Sequence, residues 1–219
     1  MIHTKRRGFT IVELLIVIVV IGILAAITIV TYNNVRVRAD NTKVLVAVDN
    51  YKTALELYMV YHQNTPPDYS FLPSASACLG TGYPDINNDG LGDCGISADK
   101  TTVVMTALAA GQDPLVEYLE QQIELGGGTY VRRSFKAPPH DQNFILNQVR
   151  INKGFSGTID GRSVLYWISY IIQGKGIDCR SPIARASGDN SFSQTFFTVS
   201  QSDEHNDPWK ECFEPFIYG

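Results

Sequence analysis

The sequence is short of charge, lacks a basic excess and carries none of the common catalytic signatures. Charged residues make up 18% of its 219 residues, below the ~25% typical of a globular domain. Lysine plus arginine (18) falls short of aspartate plus glutamate (22), leaving a formal charge of −4. A dedicated nucleic-acid domain needs clustered cations facing phosphate, so nucleic acid is at most a weak partner, through a small local patch. No G-x-S-x-G, H-E-x-x-H, P-loop or dinucleotide fingerprint occurs. The four histidines stand apart at 3, 62, 140 and 205. Pro139-His140-Asp141 reads as a surface turn rather than a catalytic pair. Internal repeats and low-complexity linkers are also missing. These absences point to a chain that is not an enzyme.

A mean hydropathy of −0.04 excludes a multi-span membrane protein and a disordered chain, but the average hides one long apolar run. Residues 9–30, FTIVELLIVIVVIGILAAITIV, hold a single ionisable side chain, Glu13. As a helix they extend about 33 Å at ~1.5 Å per residue, matching a hydrocarbon core of ~30 Å. Lys5, Arg6 and Arg7 stand just before the run. They should stay cytoplasmic, with everything after residue 30 translocated. The run is longer than the ~7–15-residue core of a secretory signal. A plain anchor fits the length but gives no reason for Glu13, because a carboxylate in a bilayer helix costs ~2.5–3.5 kcal/mol unless partnered. No Lys, Arg or His lies within 9–30. The expected partner is therefore another chain or a newly made positive group.

The stretch K5-R6-R7-G8-F9-T10-I11-V12-E13-L14-L15-I16-V17 resembles the processing site of type IV prepilins and pseudopilins. The resemblance covers residues 1 to about 32 and implies several roles. A prepilin peptidase would cut after Gly8 and methylate the new N-terminus at Phe9. The cut would remove three cations and take the formal charge from −4 to −7. The ammonium at Phe9 of a neighbouring subunit would then meet Glu13, so that Phe9 and Glu13 set the register of assembly. In a low-dielectric helix bundle an unpaired charge is costly and a good pair is partly compensated. Implied partners are identical or related pilin subunits, the peptidase and an inner-membrane assembly platform. The precursor would be a single-pass membrane protein with its head outside the cytoplasm, later moving to a surface pilus. Adhesion, twitching motility or DNA uptake are the services such filaments imply. A pseudopilin or minor pilin of a type II secretion or competence system is the alternative. A membrane-anchored extracytoplasmic enzyme or sensor is a more distant one. Val30 stands where many members have proline, a residue that would break a helical hydrogen bond. Gly22 remains for close packing or bending.

The resemblance implies an α+β fold, a long helix packed on an antiparallel head, and the residues agree. Val44, Val48, Tyr51, Leu55 and Tyr58 follow steps of four and three, one face of a helix, with Lys43, Asp49, Lys52 and Glu56 between them. The spacing predicts one helix over 9–62, stopped by Pro66-Pro67. The organisation is then a leader 1–8, a transmembrane and assembly helix 9–30, its amphipathic continuation 31–63 and a head 64–219. In the head, Thr101–Ala110 is helix-compatible, and Asp113-Pro114 begins a second helix with Leu115, Leu119 and Ile123 on one face, ended by Gly126-Gly127-Gly128. Residues 129–135, 144–151, 164–172 and 194–200 read as strands. Asp160-Gly161 suits a hairpin turn between 157–159 and 163–172. Tyr166, Trp167 and Tyr170 read as core before they read as an exposed binding patch.

Cys78, Cys94, Cys179 and Cys212 form no C-x-x-C pair, a poor spacing for zinc. An even count beyond a membrane-targeting segment suggests disulfides in an oxidising space. Of the three connectivities, the sequence-local one, Cys78–Cys94 with Cys179–Cys212, is preferred; four buried free thiols are the alternative. The second bridge would tie a loop-rich C-terminal segment to the sheet. Between the first pair, Asp85, Asn87, Asp89, Gly90, Leu91 and Asp93 give D-x-N-x-D-G-x-x-D, resembling the first nine positions of EF-hand, dockerin or thrombospondin-repeat loops. Calcium takes 6–8 oxygens. The Asp85, Asn87, Asp89 and Asp93 side chains and the Leu91 carbonyl would supply them. Ile96 replaces the bidentate glutamate of a full EF-hand. The competing reading is a loop of Asx turns closed by the disulfide, which would contribute about 3 kcal/mol in the chain-entropy picture.

Overall fold

The structure, a computed structural model, describes residues 9–69, 76–108, 111–119, 123–133, 142–153, 157–159, 162–174, 179–180, 198–202 and 208–218. It divides into two compact units, Met1–Ala39 and Asp40–Gly219. Helix α1, Ile11–Tyr61, contributes to both.

In the first unit the large apolar side chains of α1, from Ile11 to Ile29, are exposed around its circumference. The helix is long and apolar enough to cross a membrane. Thr28 and Thr31 donate their hydroxyls to the carbonyls of Leu24 and Ile27, at 2.6 and 3.0 Å, so these polar groups are satisfied within the helix itself. The α-helix is unbroken through Gly22 and through residue 30.

In the second unit the apolar stripe is buried: Val44, Val48 and Leu55 fully, Tyr51 almost so, with Tyr58 half-buried. The helix stops before Pro66-Pro67. Gln63 and Asn64 adopt left-handed φ values of 50° and 65°, and Asn64 N donates to Met59 O at 2.7 Å, the bond of a left-handed helix terminus. The prolines follow a stop already made.

Ten strands follow among the described residues: β1 Ser76–Leu79, β2 Asp93–Ser97, β3 Val103–Thr106, β4 Tyr130–Arg133, β5 Gln142–Ile145, β6 Val149–Asn152, β7 Gly157–Ile159, β8 Arg162–Gln173, β9 Thr198–Ser202 and β10 Pro208–Tyr218. One sheet has the order β1-β6-β8-β10-β9 with β7 also on β8; the other runs β3-β2-β5-β4. Every strand pair is antiparallel, so the fold is the expected α+β arrangement of a long apolar helix and antiparallel sheets.

Several local readings are corrected. The expected helix at 101–110 is β3 over Val103–Thr106, where two valines and a threonine favour extended backbone. The expected second helix is a single 3-10 turn, Val116–Tyr118, and Leu119 is extended. Asp113 caps only this turn, accepting from Leu115 N at 2.9 Å. Residues 144–151 do not form one strand. Asn147 takes φ 64° and divides β5 from β6, which enter different sheets. The C-terminal segment includes β10, which pairs with β8 over ten residues rather than being loop-rich. Hairpin pairing of Gly157, Thr158 and Ile159 with β8 is present; Asp160 and Gly161 themselves lie outside the described residues, as do 134–135 and 194–197 of the expected strands.

Strand β8 is buried on both faces. Ile168, Tyr170 and Ile172 join Val44, Val48, Tyr51 and Leu55 of α1 in the main core, while Ile171 packs with Val131, Phe144 and Trp209. Tyr166 and Trp167 are buried too, so the aromatic group is core. Cys78 is bonded to Cys94, linking the two sheets, and Cys179 to Cys212, linking residue 179 to β10; no cysteine is free.

The buried Arg150, Glu211 and Glu214 are all engaged in ion pairs. Arg150 pairs with Glu211 in the interior, its guanidinium 4.8 Å from the centre of the Phe144 ring. Glu214, 4% exposed at its side chain, accepts from Lys52 Nζ at 3.0 Å and Arg180 Nη2 at 3.0 Å, and from the Tyr170 hydroxyl at 3.0 Å. Removing one member of a buried pair leaves an uncompensated charge. Lys52 and Arg180 stay 33% and 37% exposed, so water recovers part of the loss. Glu214→Gln is expected to cost about 2 kcal/mol and lower Tm by about 4–8 °C; an unchanged Tm would refute this role.

Asp113 gives a pH-dependent case. Burial raises its carboxyl above the usual range, against the Leu115 amide and the Tyr69 hydroxyl, which act in the lowering direction. A raised folded pKa means that the native state holds the proton more tightly, so this group's contribution grows as pH falls through the folded value and is lost as pH rises through it. Asp113→Asn keeps an oxygen acceptor and removes the charge. The variant should gain stability relative to wild type as pH rises from about 4 to 7. Urea titrations across that range with a constant difference would contradict it.

Candidate functional site

Two groups of residues stand out, one at the start of α1 and one in the loop between Cys78 and Cys94. Phe9 is 82% exposed and precedes the helix. Thr10 is its N-cap: Leu14 N donates to Thr10 O at 3.3 Å, and Glu13 N donates to Thr10 Oγ1 at 3.3 Å. Glu13 completes the exchange. Its Oε2 accepts from Thr10 N at 2.8 Å and from Thr10 Oγ1 at 2.7 Å. This is a capping box, in which a Thr and a Glu three residues later satisfy each other's orphan amides at a helix start. Glu13 therefore has a neutral partner inside its own chain, which a search for cations overlooks. The T-x-x-E spacing at 10–13 was the available signal. Gly8, with Lys5, Arg6 and Arg7, lies outside the described residues. At Gly22 a Cβ would meet nothing within 4 Å, so its smallness is not required by this chain's own packing.

In the loop, hydrogen bonds draw the expected calcium ligands onto the backbone. Asp85 Oδ1 accepts from Asp89 N at 3.2 Å and its Oδ2 from Gly90 N at 3.0 Å. Asn87 Oδ1 accepts from Asp89 N at 3.2 Å, and Asn87 Nδ2 donates to Asp89 Oδ2 at 2.8 Å. Asp89 Oδ1 accepts from Leu91 N at 2.8 Å. Asn88 and Gly90 have φ values of 59° and 85°, and these left-handed residues curl the chain. Asp93 differs from the other three. It is fully buried at the start of β2, and its Oδ2 accepts from Ile86 N at 2.7 Å and Asn87 N at 3.4 Å. Its carbonyl accepts the Tyr130 hydroxyl at 3.1 Å; burial, then the charge of Asp93, pushes Tyr130 up to about 12. Among the described residues no three His, Cys, Asp or Glu side chains stand close enough together to hold a metal.

His62 does not approach a catalytic partner set. It is exposed, stacked on Tyr58 at 4.0 Å, and its Nε2 lies 3.1 Å from the Tyr118 hydroxyl. His3, His140 and His205 lie outside the described residues.

Residues 3–29 match the family model for the prokaryotic N-terminal methylation motif. The N-terminal segment is similar to those of type IV pilins. The chain is 33% identical over 75 residues to the type IV major pilin protein PilE of Neisseria gonorrhoeae, covering 34% of this chain and 45% of that protein. It is 31% identical over 88 residues to the type IV major fimbrial protein FimA of Dichelobacter nodosus, covering 40% and 55%. A probable minor fimbrial protein of the same organism is 42% identical over 52 residues, covering 24% and 33%. The chain thus spans between a third and just over half the length of these pilin relatives. No solved structure matches it.

The capping box generates a prediction about the start of α1. Thr10→Val removes the hydroxyl that both donates to and accepts from Glu13. Loss of an N-cap costs about 1 kcal/mol, so the amides of Glu13 and Leu14, which bond to Thr10, should exchange roughly fivefold faster in detergent-solubilised protein. Unchanged exchange would show that the cap does not hold the helix start.

Proposed function

We propose that the chain is a structural subunit of a type IV pilus-like filament, made as a membrane-anchored precursor, cleaved after Gly8 and assembled through its N-terminal helix. The observation that carries this reading is the methylation motif over residues 3–29, with Glu13 at the start of an exposed apolar helix. The helix supplies an anchor while the precursor waits, and the same apolar surface suits packing against other subunits. Glu13 takes the cationic N-terminus of a neighbour at Phe9, a pairing favoured in a low-dielectric bundle. The partners are related pilin subunits, a prepilin peptidase and an assembly platform, and the mature product belongs at the cell surface with its head outside the cytoplasm. Adhesion, twitching motility and DNA uptake are the services proposed for such a filament. The role is architectural rather than enzymatic.

A second reading, a minor pilin, draws support from the similarity to a probable minor fimbrial protein. Abundance separates the two: sheared surface fibres composed chiefly of this chain, beginning at a methylated Phe9, indicate a major subunit, and trace amounts indicate a minor one. Gly8→Ala is expected to leave full-length precursor in the membrane. Glu13→Ala is expected to permit cleavage and insertion but cut fibre yield at least tenfold. Wild-type chain that stays uncleaved, or Glu13→Ala fibres at normal yield, would overturn the assembly reading.

A further inference from the structure

We propose that the 85–93 loop is a calcium site anchored on Asp93, and that calcium rather than the disulfide alone fixes this loop on the head. The proposal does not rest on the filament reading. It begins from an oxygen without a donor. Asp93 is fully buried; its Oδ2 is held by the Ile86 and Asn87 amides, and these turn the carboxylate onto the loop. Its Oδ1 is buried and has no hydrogen-bond partner among the described residues. A buried carboxylate oxygen left unpaired is costly, and a cation satisfies it without a donor.

The chemistry nearby is that of a hard cation. Asp85, Asn87 and Asp89 are exposed, and each of their side-chain oxygens that accepts a backbone amide keeps a further lone pair, since a carboxylate offers about four acceptor sites. Asp85 and Asp89 are already drawn to the amides of 89–91, two to four residues before Asp93. The Leu91 carbonyl adds a backbone oxygen. All the ligating atoms are oxygens, of mixed charge. That set suits calcium, which accepts 6–8 ligands flexibly, and not magnesium, which demands near-ideal octahedral geometry and keeps its water.

Among the described residues no three carboxylates stand at metal-holding distance, so binding has to bring Asp85 and Asp89 onto Asp93. Asp93 is the fixed point, because it sits in β2 next to the disulfide-bonded Cys94. With Ile96 in place of a bidentate glutamate, the affinity belongs in the weak range of extracellular modules, Kd about 0.1–1 mM.

The test uses full-length protein in detergent, with calcium and magnesium chloride each at about 10 mM against EGTA. Calcium should raise Tm by several degrees over EGTA, with magnesium producing less than half that shift, and equilibrium dialysis should find one calcium per chain. D89N should weaken calcium binding at least tenfold by equilibrium dialysis and shrink the calcium-induced rise in Tm measured against the variant's own value in EGTA. D93N should abolish the calcium response. If D93N fails to fold, D89N carries the test alone. No bound calcium and no Tm shift at 10 mM would overturn the proposal and leave a hydrated Asp93. Equal shifts with magnesium, or an undiminished calcium response in D89N, would also overturn it.

Discussion

A helix with one apolar stripe cannot stand alone in water, and the head of this chain is organised by the need to cover Val44, Val48, Tyr51 and Leu55. Strand β8 supplies the cover through Ile168, Tyr170 and Ile172. Its other face cannot then be left wet, so Ile171 packs with Val131, Phe144 and Trp209. A strand buried on both faces needs a partner along each edge; β6 and β7 fill one and β10 the other. The polar side of the same helix is used as well, since Lys52 and Asp49 reach Glu214 and Arg180. Fixing the stripe thus fixes the position of the central strands and of the charged residues flanking the second disulfide.

How much of this could be read from the residues follows from which forces are local. The helix was legible because its periodicity is repeated over many turns. Strand β8 was legible because Val164–Ile172 is almost wholly β-branched or aromatic. Strand β10 was not, because Pro208, Lys210, Glu211, Glu214 and Pro215 interrupt its pattern. The two glutamates are tolerated inside only because Arg150, Lys52 and Arg180 come from distant parts of the chain. The break between β5 and β6 depends on one backbone angle at Asn147, and apolar neighbours on both sides conceal it. The helix expected after Asp113 fails for a related reason. Its cap is real, but a cap is local and weak, and Leu125 is committed to the main core while Glu124 bridges to Thr81. At the candidate sites the offsets of Gly8, Phe9, Glu13 and the loop carboxylates were visible. The difference between Asp93, which is buried, and the exposed Asp85, Asn87 and Asp89 was not, because burial is set by the sheet.

The composition of the 78–94 loop follows from what it cannot do. Too polar and too glycine-rich to bury itself, it satisfies its own backbone instead: the amides of Ile86, Asn87, Asp89, Gly90 and Leu91 all find side-chain oxygens of Asp85, Asn87, Asp89 or Asp93. Short acceptors alternating with residues able to take left-handed backbone are what such a segment requires. The disulfide then closes it across the junction of the two sheets.

The hydrogen bonds between Thr10 and Glu13 bear on the direction in which a filament built as proposed would run. Were the carboxylate bare in the isolated chain, joining a neighbour would be strongly downhill and leaving it correspondingly slow. Because Thr10 already satisfies it, association exchanges one set of bonds for another, and the free energy at stake is only their difference. A subunit departing from such a filament would have its original partner waiting. In such a filament the contact that makes storage tolerable would also make growth reversible, with a balance that small changes in neighbouring packing would tip.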